Sequence, residues 1–251
     1  MKISEHCYTL SGLSFIPPWS VNAGFIVGEE RTLIVDTGAN TLSAQTIHGY
    51  ASSVRPQNSL LVINTELHLD HVSGNGFFRQ RDIPVYGHYK IQRTDAELAE
   101  SIAELNELIP NPVRRAHNEA LVFYTETSIA NPDHPITEEI QLDLGGRTVQ
   151  ILLTPGHTPA NISIYVPDEQ VMYSGDCLIS GYLPNLEAGT HEDWHIWLAS
   201  LEKIRALAPT VVMPGHGQIL RGQQIQSEID RTRAVLHEAI HTGQAPTLRS
   251  L

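Results

Sequence analysis

Four side chains that commonly bind metal ions lie together in one short segment of the sequence. Glu66, His68, Asp70 and His71 directly follow the apolar run at 60–63. Alternate side chains of an extended segment point the same way, so the first three share one side. If the chain turns into a helix at that point, His71 comes round beside them. Carboxylate and imidazole groups in this arrangement predict a site for a divalent metal ion.

Three further motifs each place one potential ligand beside a glycine. Each motif follows a predicted strand, and they read Thr154-Pro155-Gly156-His157, Gly175-Asp176 and Pro214-Gly215-His216-Gly217. Glycine at a strand end lets the backbone approach an ion closely. In a chain with 13 histidines, the first segment alone is equally compatible with a charged, solvated loop. The four motifs together favour a metal site.

The elements that must position these residues can be predicted from hydrophobic patterning. The first half contains strands at 22–27 and 32–35, a helix at 41–52, a strand at 60–63, a short helix at 72–79 and a strand at 84–86. The second half contains hairpins at 139–153 and 162–173, a helix from a capping-box-like Thr190 to about Leu207, a strand at 210–213 and a final amphipathic helix at 225–240. Two β-rich halves with helices outside indicate two packed sheets in a single domain, 1–251.

A helical and loop insertion is predicted at about 91–135. Its first part, 94–109, carries Leu98, Ile102, Leu105 and Ile109 on one helix face, and prolines follow. The part from 111 to 135 has little periodicity. It is either a cap over the site or a surface insertion without a function.

The series of motifs resembles the metallo-β-lactamase superfamily. The pattern of that family is H-x-H-x-D-H, then a G-H-T-P histidine, a G-D aspartate and a P-G-H-G histidine. The likeness covers nearly the whole chain, including the early turn Asp36-Thr37-Gly38. It implies an α/β fold, a four-layer αβ/βα sandwich with the site at the edge between the sheets, in the branch that is similar to glyoxalase II.

The resemblance also implies two divalent metal ions and a set of ligands for them. One ion would take Glu66, His68 and His157, the other Asp70, His71 and His216, with Asp176 between them. A metal-bound water has a pKa lowered to about 7 and supplies hydroxide for hydrolysis. The resemblance makes Asp70 the candidate catalytic residue, which orients the hydroxide and passes a proton to the leaving group.

Glu66 is the main departure from the family pattern, which has histidine at that position. A carboxylate adds one negative charge and is a harder ligand than imidazole. Zinc is the expected metal, and manganese or iron becomes a stronger alternative. The other reading is that Glu66 turns away and leaves one metal weakly held.

Asp176 separates the activities found in the family. Relatives that open β-lactams generally carry cysteine or serine there, whereas thioesterases, lactonases and phosphodiesterases carry aspartate. We therefore predict a metallo-hydrolase acting on an ester-like bond, with thioester or lactone ahead of phosphodiester. The alternatives are an iron-dependent oxidoreductase of the same fold and a non-catalytic binding protein with an altered site.

Composition limits the partners and the location. The chain has 16 Lys and Arg against 28 Asp and Glu, a formal charge of −12. Such a surface repels nucleic acid and anionic lipid, so a small molecule is the predicted substrate. Cys7 and Cys177 do not make a disulfide framework, and the first residues lack the pattern of a signal peptide, so the predicted location is the cytoplasm. The sequence predicts no oligomeric state.

Several other residues have weaker claims to the site. Cys177 should point away from it as a small buried residue. Trp194 and Trp197 should pack under their helix, and Asp36 should have a structural role in a turn. The remaining candidates for lining the site, each more often a surface residue, are His88, His117, His191, His195, Tyr182 and the pair Arg114-Arg115.

Overall fold

Six strands of the first half form one mixed sheet. The structure is a computed structural model that describes residues 1–12, 21–107, 127–187 and 189–246. The first three strands pair antiparallel and the third to the sixth run parallel. In spatial order they are β1 (Cys7–Leu10), β2 (Ala23–Val27), β3 (Arg31–Val35), β4 (Ser59–Ile63), β5 (Val85–His88) and β6 (His134–Ile136).

The second half forms another sheet of six strands. Four of its five strand pairings are antiparallel, and β10 with β11 is the parallel pair. The strands are β7 (Ile140–Asp143), β8 (Thr148–Leu153), β9 (Ile162–Val166), β10 (Val171–Gly175), β11 (Val211–Pro214) and β12 (Leu220–Arg221). Their spatial order is β12-β11-β10-β9-β8-β7.

The two sheets pack face to face through a shared apolar core. Val35 and Ile63 of the first sheet belong to the same buried cluster as Ile164 and Met213 of the second. The buried Tyr173 hydroxyl crosses this interface, because it accepts the Tyr8 amide at 3.2 Å and donates to the Tyr8 carbonyl at 3.1 Å. A buried hydroxyl with both roles satisfied fixes how the sheets sit on each other.

Helices cover the outer face of each sheet. The described helices are α1 (Thr41–Val54), α2 (Leu69–Val72), α3 (Asn75–Arg79), α4 (Asp95–Glu107), α5 (His191–Leu207) and α6 (Gln223–Thr242). Helix α1 begins at Asn40, whose side chain accepts the Ser43 amide at 2.8 Å, and its Ile47 is buried on the first sheet. Helices α5 and α6 bury Trp197 and Ile229 on the second. The predicted four-layer αβ/βα sandwich is confirmed.

Some predicted boundaries need correction. The short helix expected at 72–79 is two helices, α2 and α3, because the chain already turns into a helix at Leu69. The strands β1, β6 and β12 are missing from the prediction; β6 contains Pro135 and is an edge strand, which hides the usual signal. The helix predicted at 94–109 is confirmed over Asp95–Glu107. Residues 108–126 of the predicted insertion lie outside the described residues.

The base of the predicted insertion is held closed by one side chain. The Asn131 side chain accepts the Arg93 amide at 2.9 Å and donates to the Arg93 carbonyl at 2.7 Å. The Arg93 guanidinium in turn donates to the Leu67 carbonyl at 2.5 Å. The base therefore touches the segment that carries the potential ligands. The expectation that the insertion caps the site falls largely on undescribed residues and stays a prediction.

Candidate metal centre

The ligand segment follows β4 at the point where the two sheets meet. The Thr65 carbonyl accepts the Ile162 amide at 2.7 Å, which joins the end of β4 to the start of β9. Glu66 comes next and is fully buried. The chain then turns into α2 at His68, so Asp70 and His71 lie on its first turn. Two close pairs of ligands therefore come from one turn between a strand and a helix.

Asp36 fixes the orientation of His71. Its carboxylate lies 2.9 Å from Nδ1 of His71 and accepts the amide and the hydroxyl of Thr65, both at 2.7 Å. The Nε2 atom of His71 is thereby turned into the site. Burial raises the pKa of Asp36, and this effect is only partly opposed by His71 and Thr65. The turn role predicted for Asp36 agrees with its backbone, which has a positive φ of 63° directly after β3. Its contact with His71 could not be read from the sequence.

The loop that carries His216 is held by Asn22 of the other half. Asn22 is buried, and its side-chain amide donates to the carbonyls of Pro214 and Gly217, both at 2.9 Å. Gly215 is required by close packing, because a Cβ atom there would lie 1.8 Å from Oδ1 of Asp176. Asn22, which directly precedes β2, thus positions the potential ligand His216, nearly two hundred residues away in the chain.

His157 is held from two sides. Its Nδ1 atom lies 3.2 Å from the Asn185 carbonyl, and its ring packs edge-on to Trp197 with centroids 5.5 Å apart. Gly156 has φ of 146° and leaves no room for a Cβ atom, which would lie 2.2 Å from Cβ of Trp197. These contacts direct Nε2 of His157 at the site.

Four ligand atoms form the first cluster. Nδ1 of His68 lies 2.9 Å from Oε2 of Glu66 and 3.2 Å from Nε2 of His157. The same His157 nitrogen lies 3.4 Å from Oδ2 of Asp176. One atom from each of the four residues lies within 4.8 Å of all the others. These distances suit a single ion surrounded by the four ligand atoms.

Three ligand atoms form the second cluster. Nε2 of His216 lies 3.2 Å from Oδ2 of Asp70, and Nε2 of His71 lies 4.0 Å from that same oxygen. Asp176 faces both clusters, because its Oδ2 lies 3.4 Å from Nε2 of His157 in the first and 3.4 Å from Nε2 of His216 in the second. The two clusters are therefore neighbours that share a carboxylate.

The unpaired atoms of the centre fit a cation. Four buried atoms of the centre lack a well-directed hydrogen bond, although a histidine nitrogen lies close to the first two: Glu66 Oε2, Asp70 Oδ2, His71 Nε2 and Asp176 Oδ1. Buried polar atoms without partners are rare, and carboxylates buried together repel one another. A divalent ion would satisfy these atoms and offset the charge. The residues present thus fit a metal, and carboxylate and imidazole are the donors that zinc, manganese and iron accept.

Without an ion, protonated histidines offset part of the negative charge of the buried carboxylates. For Asp176 and Asp70, burial acts to raise the pKa, but facing histidines outweigh it and hold the pKa of each carboxyl below its usual value. Burial acts to lower the pKa of His216, but Asp176 and Asp70 raise it to about 10. Burial dominates at His157 and lowers its pKa. A metal ion bound at the second cluster would therefore have to displace protons.

The weaker candidates fall outside the centre or beyond the described residues. Cys177 is buried among apolar residues, as expected, and burial raises the pKa of its thiol to about 12. Trp194 and Trp197 pack under α5, also as expected. His191 and His195 are exposed on α5. Tyr182 is exposed, and His88 is buried at the end of β5. His117 and the pair Arg114-Arg115 lie outside the described residues.

Comparison with known proteins places the chain in a family. The family model described as "Metallo-beta-lactamase superfamily" matches residues 16–216. The "Probable metallo-hydrolase YqgX" of Bacillus subtilis (strain 168) is 30% identical over 207 residues, 80% of this chain and 87% of the relative. The "Atrochrysone carboxyl ACP thioesterase" of Aspergillus fumigatus is 25% identical over 206 residues, 81% of this chain but 53% of the relative.

A solved structure agrees with the fold. A metallo-β-lactamase from Pontibacter korlensis superposes with a TM-score of 0.68 at 18% identity, covering 94% of this chain and 97% of that one. These matches confirm the predicted resemblance and, at the level of enzyme class, the prediction of a metallo-hydrolase. The role of Glu66 as a ligand stays a prediction. On its sequence, its layers and the arrangement of its strand-end motifs, the chain belongs to the metallo-β-lactamase superfamily.

Proposed function

We propose that the chain is a two-metal hydrolase of ester-like bonds. The observation that carries the proposal is the pair of adjacent clusters sharing Asp176, with unpaired buried atoms aimed into both. Glu66, His68 and His157 would hold one ion, and Asp70, His71 and His216 the other, with Asp176 reaching both. Bound divalent ions supply a Lewis acid and lower the pKa of bound water to about 7.

Asp70 is the proposed proton carrier. Its Oδ2 atom is buried and without a hydrogen bond, and it lies 3.2 Å from Nε2 of His216. The facing histidines keep the pKa of Asp70 low despite burial, so the group is a carboxylate at neutral pH and is ready to accept a proton. An acceptor at this position can take the proton of the attacking water and return it to the leaving group.

Glu66 favours a set of metals that differs from that of an all-histidine site. It is fully buried and contacts His68 through Oε2 at 2.9 Å and His71 through Oε1 at 3.5 Å, so it points into the centre. The alternative in which it turns away has no support from these contacts. We propose zinc as the metal. The added carboxylate oxygen should raise the affinity of the site for manganese and iron relative to zinc.

A thioester or a lactone is the proposed substrate. Relatives that open β-lactams generally carry cysteine or serine at the position of Asp176, so the aspartate argues against a β-lactam substrate. The fungal relative is named an acyl carrier protein thioesterase, and the match extends over 81% of this chain. The formal charge of −12 supports a small molecule over nucleic acid. We also propose a cytoplasmic location, supported by two buried, free thiols. No described helix has the length and apolarity to cross a membrane.

The test is metal analysis of the purified chain followed by a panel of substrates. The protein is purified without added metal, and its resident metal is identified. After reconstitution with metal it should contain close to two transition ions per chain. With zinc it should cleave model thioesters or lactones faster than a phosphodiester and leave a β-lactam intact. The matched control is Asp143→Asn, at an exposed aspartate of β7, which should behave as the natural chain does.

Two outcomes would overturn the proposal. A chain that takes up only traces of metal after reconstitution has no catalytic centre of this kind, and the binding-protein alternative would replace it. Iron as the resident metal, together with oxygen consumption or persulfide oxidation and no hydrolysis, would support the oxidoreductase instead.

A further inference from the structure

Helix α5 carries a second set of metal-binding side chains outside the centre. Its first turns read His191-Glu192-Asp193-Trp194-His195, which matches H-E-x-x-H. In that pattern two histidines four residues apart on one helix face bind zinc. Both histidines are exposed here, and their rings stand edge to face with centroids 5.2 Å apart.

Helix α6 carries a matching pair near its end. His237 and His241 are also four residues apart and also exposed. Side chains at this spacing are neighbours on the helix surface. Four of the 13 histidines in the chain therefore lie on two helices that pack together.

Cross-helix contacts place the start of α5 beside the end of α6. The helices run antiparallel: Arg205 pairs with Asp230, and one turn earlier in α5 Glu202 accepts Arg233 at 3.0 Å. At the other end Nε2 of His191 lies 3.3 Å from the Ile240 carbonyl. His191 is therefore beside the residue that precedes His241.

The H-E-x-x-H segment does not have the surroundings of a protease site. Asp193 is committed to the start of the helix, because its side chain accepts the Thr190 amide at 2.8 Å and Thr190 caps the Asp193 amide. Glu192 is exposed rather than aimed into a cleft. Trp194 is buried, and its ring lies beside the His191 ring with centroids 5.5 Å apart. The chemistry available is metal binding alone.

We infer that His191 and His195, with His241 of α6 as third ligand, form a surface site for a borderline-soft transition ion such as zinc. Imidazole ligands suit zinc, copper and nickel, and this set includes no carboxylate, unlike the metal centre. Among the described residues, ligand groups already drawn to a common point belong to the metal centre. The surface site forms when exposed imidazoles rotate towards a shared ion. The bound ion ties the end of α6 to the beginning of α5.

The experiment compares zinc uptake by the surface histidines with zinc held by the centre. Protein saturated with zinc and freed of excess by gel filtration is titrated with zinc in a calorimeter. The natural chain should take up one further equivalent, and its Tm should rise, because an ion that binds only the folded chain stabilises it. His191→Gln with His195→Gln should lose the extra equivalent and the rise in Tm, while hydrolytic activity and the zinc in the centre stay unchanged. His241→Gln should bind more weakly but not lose the site.

The control is His134→Gln, a partly exposed histidine on β6 that lies apart from both helices. It should titrate as the natural chain does. No further uptake by the natural chain, or the same uptake by the double variant, would overturn the inference. Because the centre is filled before the titration begins, either result leaves the proposed hydrolase untouched.

Discussion

The two ligand clusters differ in how firmly the protein holds them. In the second cluster, the outer nitrogen of His71 is bonded to the buried Asp36 and the His216 loop is bracketed by Asn22. In the first cluster, the His68 side chain is 34% exposed and its inner nitrogen faces Glu66. Outer partners raise the affinity of a ligand for metal. Both histidines of the second cluster are therefore held in place, whereas in the first cluster His157 is held and His68 has room to move.

Replacing Asp176 should have the largest effect and should weaken both clusters, because this side chain faces both of them. In Asp176→Ala, we expect hydrolysis to fall by more than about 100-fold, beyond the loss expected for an outer partner. At least one metal should be released, since the carboxylate would offset the repulsion between two bound cations. Metal content and the initial rate measure this, and circular dichroism checks that the chain stays folded. A near-normal rate would falsify the bridging role.

Replacing Asp36 should weaken the second cluster specifically. Asp36→Asn keeps the shape but gives up the charge that faces Nδ1 of His71. One metal should then bind about 10–100-fold more weakly, the usual effect of losing an outer carboxylate. Competition with a chelator measures it, with Asp143→Asn as control. Equal weakening of both metals would mean that Asp36 supports the whole fold and not one ligand.

Replacing Glu66 tests the first cluster. If Glu66 binds metal, its negative charge makes bound water harder to deprotonate, so the rate with zinc should rise at higher pH than in Glu66→His. That variant should also retain zinc better against manganese. Glu66→Ala should lose the metal shared with His68 and His157, and keep the other. Metal stoichiometry and the pH–rate profile are compared. Identical results for the three proteins would show that Glu66 is not a ligand.

The smallest effect is a difference in protonation between the clusters in the metal-free chain. The pKa of His216 is raised to about 10 by Asp176 and Asp70, whereas burial lowers the pKa of His157. Charged His216 should stabilise the fold fully below its unfolded pKa near 6.5, and this contribution is lost as pH rises through about 10. At pH 7 the His216 ring should be charged and the His157 ring neutral. Imidazole NMR titrations measure both; a neutral His216 at that pH contradicts the prediction.

Much of the fold and the set of candidate ligands that the structure brings together could be predicted from local sequence, but the contacts that join them could not. The hairpins and the strand at 60–63 have clear alternation or apolar runs, and the ligands stand at their ends beside glycine. The Asp36–His71 contact and the Asn22 clamp connect residues that are distant in the chain, so no spacing reveals them. Edge strands β1, β6 and β12 owe their existence to a neighbour in the sheet more than to their own residues.

The closed base formed by Asn131 and Arg93 has a consequence for how this protein can be remodelled. Since the two ends of the intervening chain are already hydrogen-bonded together, a change in its length should add little to the entropy cost of closing the loop. Loop-closure entropy depends only weakly on length, by about 0.6 kcal/mol for each doubling. The described end of the segment would have to be kept, because the Thr127 hydroxyl accepts the Thr41 amide and the Ala130 carbonyl accepts the Asn75 side chain. A graft from a relative that retains residues 127–131 should leave the segment 66–71 in register through the Arg93–Leu67 contact.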